Sequence, residues 1–138
     1  MKRKMIAVAL LSVLNCFAPA MAQSDNTKDR AKNVSLIRLI ANPKAFDGRR
    51  LRLAGYLGHN GLDRSVGLYV TELDGQNSII SNSVDLHLEE LTVDKLIGKY
   101  VILEGTYHSP VGPLSDYING YLDHVSRPEV LMRGDVPK

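Results

Sequence analysis

The sequence has few of the residues that form covalent cross-links, thiolate metal sites or aromatic clusters. It has one cysteine, Cys16, and no tryptophan, and aromatic residues make up 6% of its 138 positions. One cysteine cannot form a disulfide within its own chain, and a thiolate metal site needs several. The 44% of hydrophobic residues must therefore stabilise the fold by packing alone.

Signatures of catalysis are also missing from the sequence. Its serines stand in no G-x-S-x-G elbow, and no glycine-rich phosphate-binding motif occurs. The adjacent acids Glu89 and Glu90 lie at a predicted helix start, where they suit the helix dipole better than an acid/base pair. The sequence therefore predicts no enzyme and no cofactor.

Residues 1–22 have the order of a secretory signal peptide. The basic start MKRK precedes the apolar run MIAVALLSVL, and small residues at Ala20 and Ala22 suit a cleavage site. The run is shorter than the roughly 20 apolar residues that span a membrane. We therefore expect cleavage after Ala22 and a periplasmic or secreted mature chain without a membrane span or Cys16.

Removal of this segment changes the charge of the protein. It takes away Lys2, Arg3 and Lys4 and no acid, which leaves 14 of the 17 basic residues against 15 acidic ones. A formal charge of −1 gives no global attraction to nucleic acid or to anionic lipid. Any charge-driven partner would have to bind a local cluster.

The chain after Ala22 predicts one small domain rich in strands. Residues 23–33 are polar and predict a disordered lead-in, and Val34 begins a short helix with Ser35 as N-cap, ended at Pro43. Five segments then alternate as half-buried strands do. They are RRLRLAGYLG, VGLYVTE, SVDLHL, KYVILEGTY and YINGYLDHVSR. LDGQN predicts a turn after the second, EELTVDKLIG a helix between the third and fourth, and residues 130–138 a flexible tail.

This order predicts an all-β fold with short helices, namely a five-stranded OB-fold Greek-key barrel over residues 34–129. Its helix lies between strands three and four, and the N-terminal helix is an addition. GRRLRLAGY and GKYVILEGT, which begin at Gly48 and Gly98, share one pattern and are strands one and four. Gly55 and Gly105 within them mark tight bends of the barrel.

The segments LIANPKAFDGRRLRLAGYL, LYVTELD and LIGKYVILEGTY carry a narrower likeness. They resemble a family of small uncharacterised exported bacterial proteins. Its pattern is an N-terminal helix, a Pro-x-x-aromatic-x-Gly turn, a strand ending in Gly-Tyr and a later Gly-Lys-Tyr-Val strand. The resemblance implies export, but it brings no activity and no site residue.

The predicted binding face combines outward side chains of the first two strands with two long loops. Alternation turns basic and tyrosine side chains of these strands away from the core. The loops GHNGLDRS and HSPVGPLSD flank this face in an OB-fold. The expected binding residues are Tyr56, His59, Arg64, Tyr69, His108, Arg50 and Arg52. The alternative is that the arginines solvate the barrel and the loops are inert.

Four histidines are present, and their spacing predicts no metal site. His59, His87, His108 and His124 form no H-x-x-x-H or similar motif, whereas zinc needs three or four converging ligands. His59 and His108 lie in the two predicted loops, so convergence of those loops is the one arrangement that could join them.

Two functions fit these observations. The first is a non-catalytic exported OB-fold module that engages a protein or envelope component through its barrel face and loops. The second is an oligonucleotide- or oligosaccharide-binding protein that uses the outward tyrosines and arginines. The near-neutral charge disfavours nucleic acid.

Overall fold

The computed structural model of the protein describes residues 30–61, 64–88, 92–113, 115 and 117–131. The predicted signal peptide and the predicted tail after Leu131 lie outside these residues. The strands are β1 (Lys32–Asn33), β2 (Arg50–His59), β3 (Val66–Tyr69), β4 (Ser83–Leu86), β5 (Tyr100–His108) and β6 (Tyr121–Val130). The helices are α1 (Leu36–Ala41) and α2 (Glu72–Gln76), with 3₁₀ turns at Pro43–Phe46, Ile80–Asn82 and Asp94–Leu96.

The six strands form one sheet that closes into a ring. Their order is β1-β2-β3-β4-β6-β5, and β2 also pairs with β5. All pairings are antiparallel except β1–β2 and β4–β6, and the β4–β6 pairing covers two residue pairs, Asp85↔Tyr121 and Leu86↔Leu122. The predicted β-rich class with short helices is therefore confirmed, although β1 adds a sixth strand and the ring is not a regular barrel.

Alternating apolar residues of the strands fill the inside of the ring. On β5 the buried positions recur at every second residue, whereas on β2 they alternate up to Gly55 and are then continuous to Gly58. Helix α1 and the 3₁₀ turn at Pro43–Phe46 add Leu36, Leu39 and Phe46. Ser35 caps α1 by accepting a hydrogen bond from Arg38 N, as predicted. The strand members of this core are Leu51, Leu53, Leu57, Leu68, Val84, Leu86, Val101, Leu103, Tyr107 and Leu122.

The two similar segments of the sequence pair with one another. In the β2–β5 ladder Leu51 lies opposite Gly105, and Gly55 lies opposite Val101. A Cβ on Gly55 would lie 2.7 Å from the carbonyl oxygen of Tyr69, and one on Gly105 would lie 2.9 Å from that of Asp123. Both glycines therefore stand where neighbouring strands approach too closely for a side chain.

Two local predictions are wrong. LDGQN is not a simple turn, because Thr71 and Asp74 form a capping box that begins helix α2 at Glu72. In EELTVDKLIG, residues 89–91 lie outside the described chain, and the remainder forms one 3₁₀ turn at Asp94–Leu96 rather than an α-helix. Gly98 ends that turn with φ +82°, a backbone conformation that glycine adopts without strain.

The sheet also reaches further than predicted at both ends. Lys32 and Asn33, expected in the lead-in, form β1 because the Arg50–Arg52 end of β2 has an edge that β3 does not occupy. Residues 128–130 extend β6, with Val130 opposite Val101. Pro128 is tolerated because, in the described chain, β4 pairs with β6 only at residues 121 and 122. In the part of the chain described, no helix has the length and apolar character needed to cross a membrane.

Candidate functional site

The predicted tyrosine face exists, but α2 covers it. Tyr56 and Tyr69 are paired across β2 and β3, and they are 8% and 0% exposed. A Cβ on Gly75 of α2 would lie 2.5 Å from Cδ1 of Tyr56, so the helix backbone rests directly on that ring. The Tyr69 hydroxyl donates to the His59 carbonyl at 3.3 Å. The predicted direction of both side chains is therefore right, but the prediction that they are open to a ligand is wrong.

His59 and Arg64 lie together at the end of β2 next to this covered region. His59 Nδ1 is 3.3 Å from the Arg64 carbonyl oxygen, and both residues are exposed. They line an open pocket with Gly61, Gln76 and Ser78, among others. The structure thus joins two of the predicted site residues.

His108 belongs to a different cluster, at the far end of β5. Its Nε2 lies 2.9 Å from Oδ2 of Asp123, and its ring stacks on Tyr121, which stacks in turn on His87. His124 Nδ1 is 3.0 Å from the other carboxylate oxygen of Asp123. Burial acts to raise the pKa of Asp123, but its interactions with His124 and His108 outweigh this and hold the pKa below the usual value.

His59 and His108, which the sequence predicts in loops, are instead the last residues of β2 and β5, and their surroundings differ. His59 contacts the Arg64 backbone, whereas His108 is engaged by Asp123 and Tyr121. Within residues 30–131, apart from the gaps noted above, no group of three or more His, Cys, Asp or Glu side chains could hold a metal ion.

Arg50 and Arg52 line a cleft with several other charged residues, which we call the arginine cleft. Both project from the outer face of β2, opposite Thr106 and Glu104 of β5. The cleft has a volume of about 350 Å³. Its lining residues are Arg30, Ala31, Asn33, Arg50, Arg52, Glu104 and Arg127.

Two features of the backbone position Arg30 and Arg127 in the arginine cleft. The parallel β1–β2 pairing carries Arg30 and Asn33 alongside the start of β2. The β5–β6 register shifts on either side of Glu104, and Arg127 has φ 52° there. A β-bulge with one residue in the left-handed region redirects a strand's side chains, which accounts for the presence of Arg127 in the cleft.

The carboxylates of the cleft balance its arginines incompletely. Glu104, 13% exposed, lies 3.6 Å from Arg50 Nη2 and 4.0 Å from Arg127 Nη1 through its two oxygens. Glu129 pairs with Arg52 at 3.3 Å, and Arg50 Nη2 donates to Ser126 Oγ at 2.6 Å. Four guanidinium groups against two carboxylates leave a formal charge of +2. Since the chain after Ala22 has a formal charge of −1, this positive charge is local.

Sequence reasoning identified half of the cleft's arginines. Strand alternation predicted that Arg50 and Arg52 face outward together, and the structure confirms it. The sequence does not predict a place for Arg30 in the cleft, because this residue lies in a polar segment with no strand pattern. The sequence predicts Arg127 near the end of a strand, but a bulge that shifts its side chain has no sequence signal without a glycine.

Comparison with known proteins provides no independent guide to the site. No protein-family model, curated protein or solved structure matches the chain. The function of the cleft must therefore be inferred from its own charges, exposures and distances.

Proposed function

We propose that the protein is an exported, non-catalytic binding module of the OB-fold class, and that its arginine cleft binds an acidic component of the cell envelope. The observation that carries this proposal is the convergence of four arginines on one cleft of a chain that, after Ala22, is near neutral as a whole. An unbalanced cluster of this kind is not needed to solvate a sheet, since alternating charges would do so at lower electrostatic cost.

The strand order supports the OB-fold part of the proposal. With β1 set aside, the ring runs β2-β3-β4-β6-β5 and returns to β2. That is a closed five-stranded arrangement in which the last two strands exchange places, and a 3₁₀ turn at Asp94–Leu96 stands where the predicted helix was expected. OB-folds commonly bind their ligands on the face of strands two and three, here β3 and β4, and on adjacent loops. The arginine cleft lies on β2, β5 and β6 instead, so it is proposed as the site from its charges and not from the fold.

Guanidinium chemistry supports an anionic ligand. Each guanidinium carries five N–H donors in a planar fork that matches the oxygens of carboxylates and phosphates. Arg52 is 38% exposed and Arg127 76% exposed, so both can reach a ligand from solvent. Among the described residues, the side chains of the four cleft arginines make hydrogen bonds to Ser126 and Glu129, which leaves most of their donors to solvent or a ligand.

Export and lack of catalysis rest on the sequence. The basic, apolar and A-x-A order of residues 1–22 supports secretion to the periplasm or beyond, as does the resemblance to exported bacterial proteins. No catalytic motif occurs in the sequence, and the arginines supply binding chemistry rather than a nucleophile or a general base.

The alternative, an oligonucleotide- or oligosaccharide-binding protein, has less support. Such sites stack bases or sugars on exposed aromatic rings. Tyr56 and Tyr69, the rings expected to do so, lie beneath α2. Nucleic acid would also need a more positive protein than one with 14 bases against 15 acids after Ala22.

The proposal is tested by titrating the protein, secreted by a bacterial host, with phosphate, sulfate and citrate at low ionic strength. Binding is followed by NMR chemical shifts, and we expect saturable shifts that weaken as salt is added. In the double variant Arg52→Gln/Arg127→Gln, affinity should fall at least about tenfold because charge-assisted hydrogen bonds are lost.

The matched control is the double variant Lys44→Gln/Lys95→Gln. It removes the same formal charge from exposed positions that do not line the cleft. Its affinity should stay within about twofold of the wild type, as screened surface charges at a distance contribute little. Absence of binding by all three anions would overturn the proposal, as would equal losses in the two double variants.

A further inference from the structure

We propose that the ligand group held by the arginine cleft is a phosphomonoester in its dianionic form. This inference rests on the proposed function and goes beyond it, because it selects one class of acid among several. The acidic groups that an envelope ligand offers include carboxylates, phosphodiesters, sulfate esters and phosphomonoesters. All except the last carry one negative charge, whereas a phosphomonoester carries about −1.5 to −2 near neutral pH.

The charge count of the cleft favours the dianion. Its four guanidinium groups, Arg30, Arg50, Arg52 and Arg127, are opposed by Glu104 on the floor and Glu129 at the side. The remaining formal charge of +2 is neutralised by one phosphomonoester. A monoanion would leave one positive charge uncompensated in a site whose floor is already largely removed from water.

The directions of the donors favour a group with several oxygens. Arg50 and Arg52 approach from β2, Arg127 from β6, and Arg30 from the segment before β1. A carboxylate has two oxygens in one plane, which a single guanidinium fork satisfies. A terminal phosphate has three oxygens directed apart, and these can accept from guanidinium groups on different strands at once.

Of the two carboxylates, Glu129 accepts a hydrogen bond from Arg52 at 3.3 Å, whereas Glu104 accepts none from the two arginines beside it. Glu104 lies between two arginines, but at 3.6 and 4.0 Å, both beyond hydrogen-bonding distance. It therefore attracts Arg50 and Arg127 by charge without itself occupying any of their N–H donors. Ser126 Oγ accepts a hydrogen bond from the same Arg50 Nη2 at 2.6 Å, so one donor of Arg50 is occupied and its guanidinium is positioned before a ligand arrives.

The experiment compares four small probes at pH 8 by NMR titration of the secreted protein. They are glycerol 3-phosphate, dimethyl phosphate, methyl sulfate and acetate. We expect glycerol 3-phosphate to bind at least about fivefold more tightly than each monoanion, because the second charge is attracted by the second uncompensated guanidinium. Equal affinity for all four probes, with loss in Arg52→Gln/Arg127→Gln, would overturn the inference and leave the proposed function intact. No binding of any probe would overturn both.

A gain-of-binding variant tests the charge count without weakening the cleft. Glu129 is 64% exposed and pairs with Arg52, so Glu129→Gln should leave the fold unchanged and free that guanidinium. We expect glycerol 3-phosphate to bind about two- to fivefold more tightly to Glu129→Gln. The matched control Glu72→Gln lies on α2, outside the cleft, and should change affinity less than twofold. An unchanged or weaker affinity in Glu129→Gln would contradict the inference.

Vesicles containing phosphatidic acid, whose headgroup is a phosphomonoester, separate the two sources of such a group. Binding to glycerol 3-phosphate without vesicle binding assigns the cleft to a soluble phosphorylated ligand. Binding to both, sensitive to Arg52→Gln/Arg127→Gln, assigns it to a lipid headgroup as well. Vesicle binding that the double variant does not weaken would count against the cleft as the site.

Discussion

Arg52 and Tyr56 stand four residues apart on β2 and project from the same face of the sheet, yet the Arg52 side chain is 38% exposed and Tyr56 is 8% exposed. Beyond Tyr56, the outer face is covered by α2, whose Gly75 lets the helix backbone lie on the ring. Around Arg52 no helix of the described chain covers the sheet, and arginines from β2, β6 and the segment before β1 meet there. We call these the covered half and the open half of the face.

The difference between the halves shows what strand alternation can and cannot predict. Alternation determines the side of the sheet to which a residue points, because successive side chains project in opposite directions. It does not determine what lies over that side. The cover of Tyr56 depends on a capping box fifteen or more residues further along the chain, at Thr71 and Asp74. An outward tyrosine is therefore a surface residue only where no other element packs on it.

The first test asks whether the halves also differ on their inner side. Gly55 lies on β2 in the covered half, and Gly105 lies on β5 in the open half. A Cβ atom added to either glycine would lie within 3 Å of a carbonyl oxygen on a neighbouring strand. Gly55→Val and Gly105→Val should each lower the free energy of unfolding by about 1–3 kcal/mol, since both side chains would overpack the sheet. Urea denaturation measures this.

Ala54→Val is the matched control for that test, because Ala54 is the exposed neighbour of Gly55 on the same strand. Its effect should stay within about 0.5 kcal/mol. A large loss in one glycine variant and none in the other would show that the two halves differ in their core as well as in their cover.

The second test removes the cover. Asp74 accepts hydrogen bonds from Thr71 and Asn82 and thereby fixes α2. Asp74→Ala should destabilise the protein by about 1–2 kcal/mol, as loss of a helix N-terminal capping interaction does. It should also make the tyrosines beneath α2 more accessible to acrylamide quenching. Unchanged quenching would mean that α2 is held by contacts other than its cap.

The pH dependence of the stability of Asp74→Ala below neutral pH provides a further check. The hydrogen bond from the Thr71 side chain, followed by that from Asn82, lowers the pKa of Asp74 below 3.8 in the folded protein. The group therefore contributes stability that is present above the unfolded pKa and is lost as the pH falls through the folded pKa. Asp74→Ala should reduce the fall in stability over that acidic range, and an unchanged acid profile would contradict the assignment.

The sequence predicts some features of the two halves and not others. The five central strands and the α1 cap at Ser35 were predictable, because each depends on local alternation or on one small residue. Gly55 and Gly105 were predicted as bends of the barrel, whereas the structure shows a close approach of neighbouring strands at both. The cover by α2 and the convergence of Arg30 with Arg127 were not predictable. They depend on strand pairing and on a bulge, which bring together positions almost one hundred residues apart.

The third test concerns a buried hydrogen bond inside the ring, made by the hydroxyl of Tyr107. Tyr107 is fully buried on β5, and its hydroxyl donates to the Asn119 carbonyl at 2.5 Å. The Asn119 side chain donates in turn to the carbonyls of Ser81 and Ser83, which ties the segment before β6 to β4. Tyr107→Phe should therefore cost about 1 kcal/mol by loss of one hydrogen bond.

Tyr107 also predicts an alkaline limit to stability. Burial, followed by the charge of Asp47, raises its pKa from 10.0 to about 12. The folded state thus retains a proton that the unfolded state loses, so this contribution is complete below pH 10 and falls as the pH rises toward 12. Denaturation at pH 9 and pH 11 should show a smaller decline in Tyr107→Phe than in the wild type. Equal declines would contradict the assignment.

The smallest expected effect belongs to the open half. Arg52→Gln breaks an exposed ion pair with Glu129, and such pairs contribute little to stability. The free energy of unfolding should change by less than about 0.5 kcal/mol. A loss of stability comparable to that of Asp74→Ala would mean that the arginines of the open half stabilise the fold, which would argue against their being free to bind a ligand.

The most direct test of the comparison is an NMR titration with glycerol 3-phosphate that observes arginine Nε–H and tyrosine ring signals in one experiment. The arginine cleft predicts saturable shifts of the Arg50, Arg52 and Arg127 side-chain signals, while the rings of Tyr56 and Tyr69 stay unchanged beneath α2. Shifts of the tyrosine rings without shifts of the arginines would place the ligand on the covered half and contradict the account.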